Sequence, residues 1–511
     1  MSDFEEIKDK GERLHKYSSL FILIHVAVKS IIPIAFGFYQ SDRWDYGLYI
    51  FAGIGVFLLT ISVLRYWFYH YWLSDERIEI KEGILFKKNR KIPYTRIQNV
   101  NVSQNPLERA LNVATLQLES ASGGKPEAIM RVVSLDVVEQ IKSLVKKSSN
   151  NQSSDVQPEP VIDKNNGNSE QTTPLLELST KEVMKYGIIS QKGMFIAAIL
   201  FSFMSQNQAL VAWLFKYLNA IYQVPDFTKV TLSQSLIYVV IVGSIIFIVL
   251  QLLSIIWALL KFYQFKIEKN DDRLHATMGL LSKVSATIPL KKIQLYRISE
   301  NPIHKHFKAR TITIETAGGV NTDNAGIVMR WLAPYISQAK IKPFICEIEP
   351  KIKLATVDWQ LIPSRAWKRV IKKSLISLML FSVLGYGITF LPFFELKKYT
   401  WLLPLLLIPV TFLYAKKYVK KTAYYINEDI ICFKSGVWFG KQSFVKISKI
   451  QTIEIKQTYF DRRNKMATLE IDTAGSNPLL HHVKIPYLEV TDAFKMRRFI
   501  QDKIKTQEYN W

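Results

Sequence analysis

Four short motifs between residues 81 and 124 decide the fold, and they read Lys-Glu-Gly-Ile-Leu (81–85), Ile-Pro-Tyr-Thr-Arg-Ile-Gln-Asn-Val (92–100), Asn-Pro-Leu-Glu-Arg (105–109) and Leu-Glu-Ser-Ala-Ser-Gly-Gly (118–124). Their pattern returns twice further along the chain. The matching sets are Gly83, Gln98, Thr115, Glu119 and Ala121; Gly279, Gln294, Thr311, Glu315 and Ala317; and Gly436, Gln451, Thr468, Asp472 and Ala474. Such internal self-similarity indicates a repeat architecture, so we predict three copies of one structural module.

Within the first copy the local pattern is mostly that of β-strands. Alternating apolar and polar residues predict strands over 78–80, 92–102, 115–120 and 128–133. Gly83 is suited to a turn with positive φ, and a proline at an early position predicts a short helical turn over 106–111. Residues 135–147 carry apolar side chains on one helical face. Each module is therefore predicted to be a small β-sheet or barrel closed by a C-terminal helix.

The four motifs resemble the bacterial PH-like (pleckstrin-homology-like) domain of the YdbT-type membrane proteins. The resemblance extends over nearly the whole chain and is strongest in the first copy. In the third copy it is weakest, because Lys446 replaces the proline of the second motif and Thr458-Tyr459 replaces Asn-Pro. The resemblance implies an integral membrane protein with cytoplasmic PH-like modules, and it implies no activity because the role of the family is poorly defined.

Long apolar segments precede each module. About 20 mostly apolar residues are needed to cross the hydrocarbon layer. The segments that meet or approach this length are 20–39, 47–67, 188–204, 235–262, 374–394 and 401–414. We therefore expect about six transmembrane helices in three hairpins. The third segment is interrupted at Ser205-Gln206-Asn207-Gln208, which leaves two alternatives for 188–221: one full span, or a span followed by an interfacial helix.

The distribution of basic residues predicts the orientation of these hairpins. Cytoplasmic loops carry an excess of Lys and Arg near the ends of spans. Such residues are frequent on the side of the modules, and the opposite loops are poorer, although Lys397-Lys398 in the third hairpin departs from the pattern. We expect both termini and all three modules in the cytoplasm. The predicted boundaries are 1–73, 175–262 and 349–417 for the hairpins, 74–147, 263–348 and 418–511 for the modules, and 148–174 for a flexible linker.

Composition agrees with alternating apolar helices and polar modules. The 511 residues are 49% hydrophobic and carry a formal net charge of +24. The cations lie beside the spans and form no recognised nucleic-acid motif, so the expected partner is an anionic membrane surface and not a nucleic acid. The chain has only 2 cysteines, which predicts neither a disulfide framework nor a zinc site.

No catalytic or cofactor-binding motif is present in the sequence, so we predict no enzyme, no cofactor and no metal. The His304/His306 and His481/His482 clusters are predicted to be surface residues. The recurrent acids Glu119, Glu315 and Asp472 are predicted to form structural hydrogen bonds or ion pairs. The recurrent bases Arg96, Lys292 and Lys449 are their expected partners.

Two ionisable residues lie inside the first predicted span. His25 and Lys29 are four residues apart and share one helix face. Ionisable groups at this depth are costly and usually face protein or water, so we treat the pair as a candidate intramembrane polar site.

The sequence thus predicts a non-enzymatic multi-pass membrane protein whose modules form a scaffold for protein partners, inner-leaflet lipids or both. The expected partners are anionic lipids and a smaller membrane protein of the same PH-like family, and the chain is a candidate oligomer. The candidate contact residues are Lys87, Lys88, Arg90, Lys91, Arg109, Lys416, Lys417, Lys420 and Lys421. The alternative is a lipid-handling or export protein that protects the envelope from membrane-active peptides, with Lys29 facing a polar cavity.

Overall fold

The structure is a computed structural model. It describes residues 12–24, 44–84, 86–120, 126–151, 174–194, 197, 212–213, 216–217, 232–316, 330–350, 352, 358–388, 400–473 and 483–506. The chain forms two compact units, and the boundary between them falls inside the second repeat. The first unit contains Met1–Pro174 and Glu268–Pro289, and the second contains Leu175–Ile267, Leu290–Val320 and Met329–Trp511.

Antiparallel strands are the commonest secondary structure of the described residues outside the apolar helices. In chain order the strands are β1 (Glu12–Arg13), β2 (His70–Leu73), β3 (Arg77–Glu82), β4 (Lys88–Pro93), β5 (Ile97–Gln104), β6 (Val113–Ser120), β7 (Ala128–Ser134), β8 (Leu176–Glu177), β9 (Lys266–Asn270), β10 (Arg273–Met278), β11 (Lys283–Pro289), β12 (Ile293–Glu300), β13 (Ala309–Thr316), β14 (Trp331–Ser337), β15 (Gln360–Leu361), β16 (Ala423–Ile426), β17 (Ile430–Ser435), β18 (Gly440–Lys446), β19 (Ile450–Lys456), β20 (Met466–Thr473) and β21 (Val483–Glu489).

The helices are of two kinds, long apolar ones and short or amphipathic ones that belong to the modules. In chain order they are α1 (Trp44–Trp67), α2 (Pro106–Ala110), α3 (Leu135–Asn151), α4 (Thr180–Ser190), α5 (Leu232–Phe262), α6 (Pro302–His306), α7 (Ile341–Ile348), α8 (Trp367–Ile388), α9 (Ile408–Lys421), α10 (Tyr459–Arg463) and α11 (Val490–Thr506). The predicted strands, short helix and closing helix of the first module correspond to β3, β6, β7, α2 and α3.

Residues 92–102 do not form the single strand that the alternation predicted. A 3-10 turn over Tyr94–Arg96 separates β4 from β5, and the buried Tyr94 ring fills the core at this corner. The same turn recurs at Leu290–Lys292 and Ile447–Lys449. The chain therefore changes sheet at this point, and the two halves of each repeat belong to different sheets.

In the first unit, one sheet has the order β1-β2-β3-β4. A second sheet runs β7-β6-β5-β11-β10, so the second half of the first repeat pairs with the first half of the second repeat. Helix α3 covers the first module, and its Val138 and Ile141 join the same buried cluster as Ile78 and Leu116. Burying such a side chain contributes about 2 kcal/mol, which makes this cluster the main source of module stability.

The second unit repeats this arrangement one module later. Its large sheet has the order β14-β13-β12-β18-β17-β16-β15, so the second half of the second repeat pairs with the first half of the third. The remaining strands form a three-stranded sheet, β19-β20-β21. Helix α11 packs on the core of the third module through Ala493, Met496 and Ile500.

One helix among the described residues is long and apolar enough to cross a membrane, the 23-residue segment Val240–Phe262 of α5. Residues 240–249 are exposed, as expected for a surface that faces lipid, whereas Ser254, Ala258 and Phe262 at the module end of the helix are buried. A shorter apolar helix, Gly53–Trp67, lies within α1. The prediction of about six spans is not confirmed, because only the helix Val240–Phe262 among the described residues is long and apolar enough. Most of the segments 20–39 and 188–204, and the end of 374–394, lie outside the described residues. The last segment, 401–414, begins as a 3-10 helix containing Pro404 before α9 starts.

The recurrent glycine that opens each motif set has a steric role. Gly83, Gly279 and Gly436 have φ between 105° and 111°, and a Cβ on each would collide with the carbonyl oxygen three residues later. Only glycine adopts this conformation without strain.

We expect Gly436→Ala to lower the free energy of unfolding of the third module by about 1–3 kcal/mol, because the alanine would be held at positive φ against the Phe439 carbonyl. Thermal unfolding of the detergent-solubilised chain measures this change. Gly440→Ala is the matched control, since the nearest atom to its Cβ is 3.6 Å away. Equal melting temperatures for the two variants would contradict the assignment.

Candidate membrane-facing surface and module junctions

The module end of the spanning helix α5 is held by aromatic rings. Lys261 lies in its last turn, and its Nζ is 4.0 Å from the ring centroid of Trp331 in β14 and 5.1 Å from that of Trp257. The Phe262 and Trp331 rings also meet edge to face, with centroids 5.4 Å apart. A lysine stacked on tryptophan at the end of an apolar helix is typical of a membrane–water interface. This arrangement fixes the helix end to the second module.

Helices α4 and α5 pack closely because small residues line their contact. A Cβ on Gly187 would lie 2.6 Å from the Ile255 Cα. The fully buried Ser254 donates its hydroxyl to the Gly187 carbonyl at 2.6 Å and lies 3.1 Å from the Ser190 hydroxyl. Close backbone approach over small residues and serine hydrogen bonds is the usual way in which apolar helices associate.

A second surface combines exposed lysines with exposed aromatic rings at the end of α9. Lys416, Lys417, Lys420 and Lys421 are all exposed there. The loop between β17 and β18 brings Trp438 and Phe439, which are 58% and 66% exposed, to this place. The Lys417 Nζ lies 6.0 Å from the Trp438 ring centroid, so the lysines and the loop form one patch. We call these six residues the basic–aromatic surface.

The predicted basic hairpin lies on β4 and the turn before it. Lys87, Lys88 and Lys91 are exposed. Arg90 is half-buried, pairs with Glu82 at 3.1 Å and donates to the Glu127 carbonyl at 2.6 Å. Lys91 lies 3.5 Å from Glu79. Arg90 and Lys91 are therefore partly neutralised, and Phe86 beside them is 84% exposed.

Arg109, the other predicted contact residue in the first module, is exposed and donates to the Leu280 carbonyl of the second repeat at 3.4 Å. The aligned residue of the second repeat does the same one module later, since the Lys305 Nζ donates to the Val437 carbonyl at 3.1 Å. A cation on the short helix of one repeat thus binds the loop of the next repeat. The structure gives Arg109 a role in joining modules.

The two sheet junctions between repeats have the same register. In the first unit Gln104, Ser103 and Val102 of β5 lie opposite Lys283, Val284 and Ser285 of β11. In the second unit the aligned residues Glu300, Ser299 and Ile298 of β12 lie opposite Gly440, Lys441 and Gln442 of β18. The same edge of each module therefore accepts the same edge of the following one.

Each short helix begins with a capping box, and the residue at its N3 position, the third residue of the helix, is buried. These buried residues are Glu108, His304 and Asp461, at aligned positions. His304 was predicted to be a surface residue, and this is wrong. Only 6% of it is exposed, its Nδ1 accepts from the Asn301 backbone N–H at 3.2 Å, and its Nε2 lies 3.0 Å from the Thr311 hydroxyl. Burial lowers the pKa of His304 to about 4, so the ring is neutral at pH 7.

In the third module the capping residue is also an anchor for an apolar helix. The Arg369 Nε of α8 donates to the Asp461 carboxylate at 2.7 Å, and its Nη2 donates to the Thr458 hydroxyl at 3.0 Å. Burial by itself raises the pKa of Asp461, but the hydrogen bonds from Arg369 and Thr458 outweigh it and lower the pKa below its usual value. The first helix of the third hairpin is thereby tied to its module.

Two of the recurrent acids, Glu119 and Glu315, make structural contacts, and both bind residues other than the predicted bases Arg96 and Lys292. The Glu119 carboxylate accepts from the Asn99 and Asn101 side-chain amides at 3.2 and 2.9 Å, and an ion pair with Arg96 is not among the contacts of the described residues. Glu315 pairs with Arg297 at 3.2 Å. These partners lie on the neighbouring strand, where cross-strand side chains meet.

Two candidate groups are not tested by the structure. His25 and Lys29 lie outside the described residues, so the intramembrane site and the export alternative that depends on it stay predictions. His481 and His482 also lie outside them. Within the described part of the chain no group of three or more His, Cys, Asp or Glu side chains could hold a metal ion.

Sequence reasoning missed the contacts that join elements far apart in the chain. The sequence shows Lys261 and Arg369 as separate cations and gives no sign that they contact Trp331 and Asp461. The contact between the short helix and the following loop did leave a signal in the sequence. Arg109 and Lys305 place a cation at the same position of two repeats, and the recurrent glycines identify the loop that the cation contacts.

Comparison with known proteins places these features in a family. A family model described as "Bacterial PH domain" matches residues 21–149, 194–336 and 380–504. The transmembrane protein YdbT of Bacillus subtilis (strain 168) is 25% identical over 484 residues, which cover 91% of this chain and 93% of that protein. No solved structure matches.

We expect the stability of the second module to fall as the pH drops from about 6.5 to about 4. The unfolded chain protonates His304 at its ordinary pKa, whereas the folded state resists protonation until about 4. Stability is thus fully present above 6.5 and decreases by up to about 3 kcal/mol over this window. Chemical denaturation of the detergent-solubilised chain at several pH values measures the loss.

His304→Gln should remove this pH dependence, because an amide oxygen can still accept from Asn301 but does not titrate. His306→Gln is the control, since His306 is exposed. An unchanged pH profile in His304→Gln would show that other groups cause the loss.

Proposed function

This chain belongs to the bacterial PH domain family, and we propose that it is a non-enzymatic membrane platform that uses its modules to hold protein partners against an anionic lipid surface. It is a membrane protein of the YdbT family with PH-like domains. The observation that carries the proposal is the recurrence of one edge-to-edge strand junction, in one register, in both compact units.

Edge pairing is a general mode of partner recognition. An extended strand added to an open edge binds through main-chain hydrogen bonds, and side chains add specificity. These modules already use that mode within the chain. Modules on one chain also meet partners at high effective concentration, so weak contacts can add up. The basic strand β4 and the outer strand β19 are the edges proposed to receive partners.

Lipid contact is proposed for the basic–aromatic surface. Each Lys near an anionic membrane contributes about 1 kcal/mol, and tryptophan prefers the headgroup region. Four exposed lysines follow an apolar segment on α9, and Trp438 and Phe439 are exposed beside them. Because lysines bind anionic headgroups and aromatic rings prefer the headgroup region, a surface with both should bind an inner leaflet more strongly than a surface with either alone.

The proposed topology has about six spans, with modules and termini in the cytoplasm. Its support is the apolar length of α5, the aromatic anchoring of Lys261, and the basic residues that end α9. Within this topology a smaller membrane protein of the same PH-like family is a candidate partner, since homologous modules can offer the same edges.

Replacing Lys416, Lys417, Lys420 and Lys421 by Gln is expected to weaken binding of anionic lipid at least about tenfold, because several contributions of about 1 kcal/mol each are lost. The full chain in nanodiscs of phosphatidylcholine with a small fraction of fluorescent phosphatidylglycerol provides the measurement. The wild-type binding should also weaken as salt is raised.

The matched control replaces four lysines of the third module, Lys465, Lys495, Lys503 and Lys505, by Gln. This change removes the same charge but leaves the basic–aromatic surface intact. Equal losses in both variants would mean that net charge alone attracts lipid, and the proposed surface would be rejected.

Native cysteines test the cytoplasmic placement. Cys346 is exposed on α7, whereas Cys432 is buried and burial raises its pKa to about 12. We expect a membrane-impermeant maleimide to label the chain only after cells are permeabilised, and only at Cys346. Labelling of Cys346 in intact cells would place the second module outside and would overturn the topology.

A further inference from the structure

We propose that two copies of this chain join head to tail, with β19 of one copy adding to β4 of the next. The inference rests on the proposed use of sheet edges for partners and names the partner as a second copy. It follows from two unlike sheet edges, at β4 and β19, that have no neighbour among the described strands. Within the described residues β4 pairs only with β3, and β19 pairs only with β20.

The internal junctions show which edges fit together. Strand β11 aligns with β4, and its outer edge takes β5. Strand β18 also aligns with β4, and its outer edge takes β12, which aligns with β19. The two junctions pair aligned residues in the same register. The complementarity of the two edges therefore belongs to the module and not to one particular pair of strands. The two open edges are the two halves of a third such junction.

Burial differs between the occupied and the open edges. In β12, where the next repeat is present, Tyr296 and Ile298 are 1% and 2% exposed. The aligned Ile453 and Ile455 of β19 are only half-buried. On the other side Ser443 of β18 is 7% exposed, whereas the aligned Arg90 side chain of β4 is 39% exposed. Apolar side chains that are covered at the β12–β18 junction thus have aligned residues on β19 that remain partly uncovered. At the β5–β11 junction Val102 is buried, whereas Val100, which aligns with Tyr296, is half-buried.

The contact between the short helix and the following loop points to the same pairing independently. Arg109 and Lys305 each donate to a loop carbonyl of the next repeat, at Leu280 and Val437. The aligned cation of the third repeat, Arg462, is exposed, and no hydrogen bond of its guanidinium is among the contacts of the described residues. The aligned loop position of the first repeat is Ile84. A second copy would place the Arg462 guanidinium on the Ile84 carbonyl.

The shared register determines which residues would face each other. Transferred from the internal junctions, it places Glu454 opposite Arg90 and Lys456 opposite Lys88. The first pair is oppositely charged. The second is not, but Lys456 already lies 2.9 Å from Glu454 and 2.8 Å from Glu470, which offset its charge. Unlike edges give a heterologous contact, which forms a ring or an open chain of copies.

Disulfide crosslinking tests the register directly. Cys346→Ser removes the exposed thiol, and two differently tagged chains then carry either Lys88→Cys or Lys456→Cys. Directly opposed strand residues have Cβ atoms about 5 Å apart, close enough for a disulfide. In mixed nanodiscs or detergent micelles holding both chains, mild oxidation should give a dimer containing both tags.

Asn89→Cys with Lys456→Cys is the matched control. A shift of one residue directs the side chain to the other face of the sheet. The shifted pair should crosslink at least about tenfold more slowly than the aligned pair. Equal rates would indicate random collision and would overturn the proposal.

A second pair of variants separates specific from general effects. Arg462→Ala should slow crosslinking of the aligned pair about fivefold, because it removes one charge-assisted hydrogen bond, and the exposed neighbour Arg463→Ala should not. Similar slowing by both would count against the Arg462–Ile84 contact. Melting temperatures equal to the wild type confirm that the variants are folded.

Two further outcomes would reject a second copy as the partner. One is an internal disulfide in a monomer that carries both cysteines, which would mean that the chain closes on itself. The other is crosslinking of either cysteine only to a smaller PH-like membrane protein added to the mixture. Failure of crosslinking with normal lipid binding and normal topology would overturn self-assembly and leave the lipid platform standing.

Discussion

Backbone hydrogen bonding across the edges of neighbouring modules is the constraint on which the rest of this structure depends. An exposed strand edge carries unpaired N–H and C=O groups that attract other strands. This protein covers such edges with its own next repeat, at β5–β11 in one unit and at β12–β18 in the other. The second repeat is thereby paired with the first through β11 and with the third through β12, whereas the aligned strands β4 and β19 have no neighbour on the corresponding side among the described strands.

The 3-10 corner between the two halves of each repeat makes this arrangement feasible. If residues 92–102 formed one straight strand, the repeat would complete a single sheet by itself. The turn at Tyr94–Arg96 instead directs the chain into a second sheet, whose outer edge is free for the next repeat. The second repeat is therefore divided between the compact units, with Glu268–Pro289 in the first unit and Leu290–Val320 in the second.

Anchoring to the apolar helices uses a different chemistry, based on cations. Lys261 stacks on tryptophan at the end of α5, and Arg369 of α8 is bound by the capping residue of α10. The capping position carries Glu108, His304 and Asp461 in the three repeats, so the same buried place is filled by three different titratable groups. Its electrostatics can therefore differ between modules while its hydrogen-bonding geometry is kept.

The amino-acid sequence alone determined the number of repeats, the strands β3, β6 and β7 with the closing helix of the first module, and the glycine turns. These features follow from local periodicity and local backbone sterics, which are properties of neighbouring residues. It did not reveal the corner inside 92–102, the burial of His304, or the amide partners of Glu119.

Only the tertiary structure decided which strand lies beside which, because pairing between repeats is set by contacts between residues 140 to 183 positions apart. No local pattern carries that information. The physical reason is that backbone N–H and C=O groups are the same in every residue. An edge strand therefore has the same sequence pattern whether these groups bond to water, to the next module or to another copy of the chain.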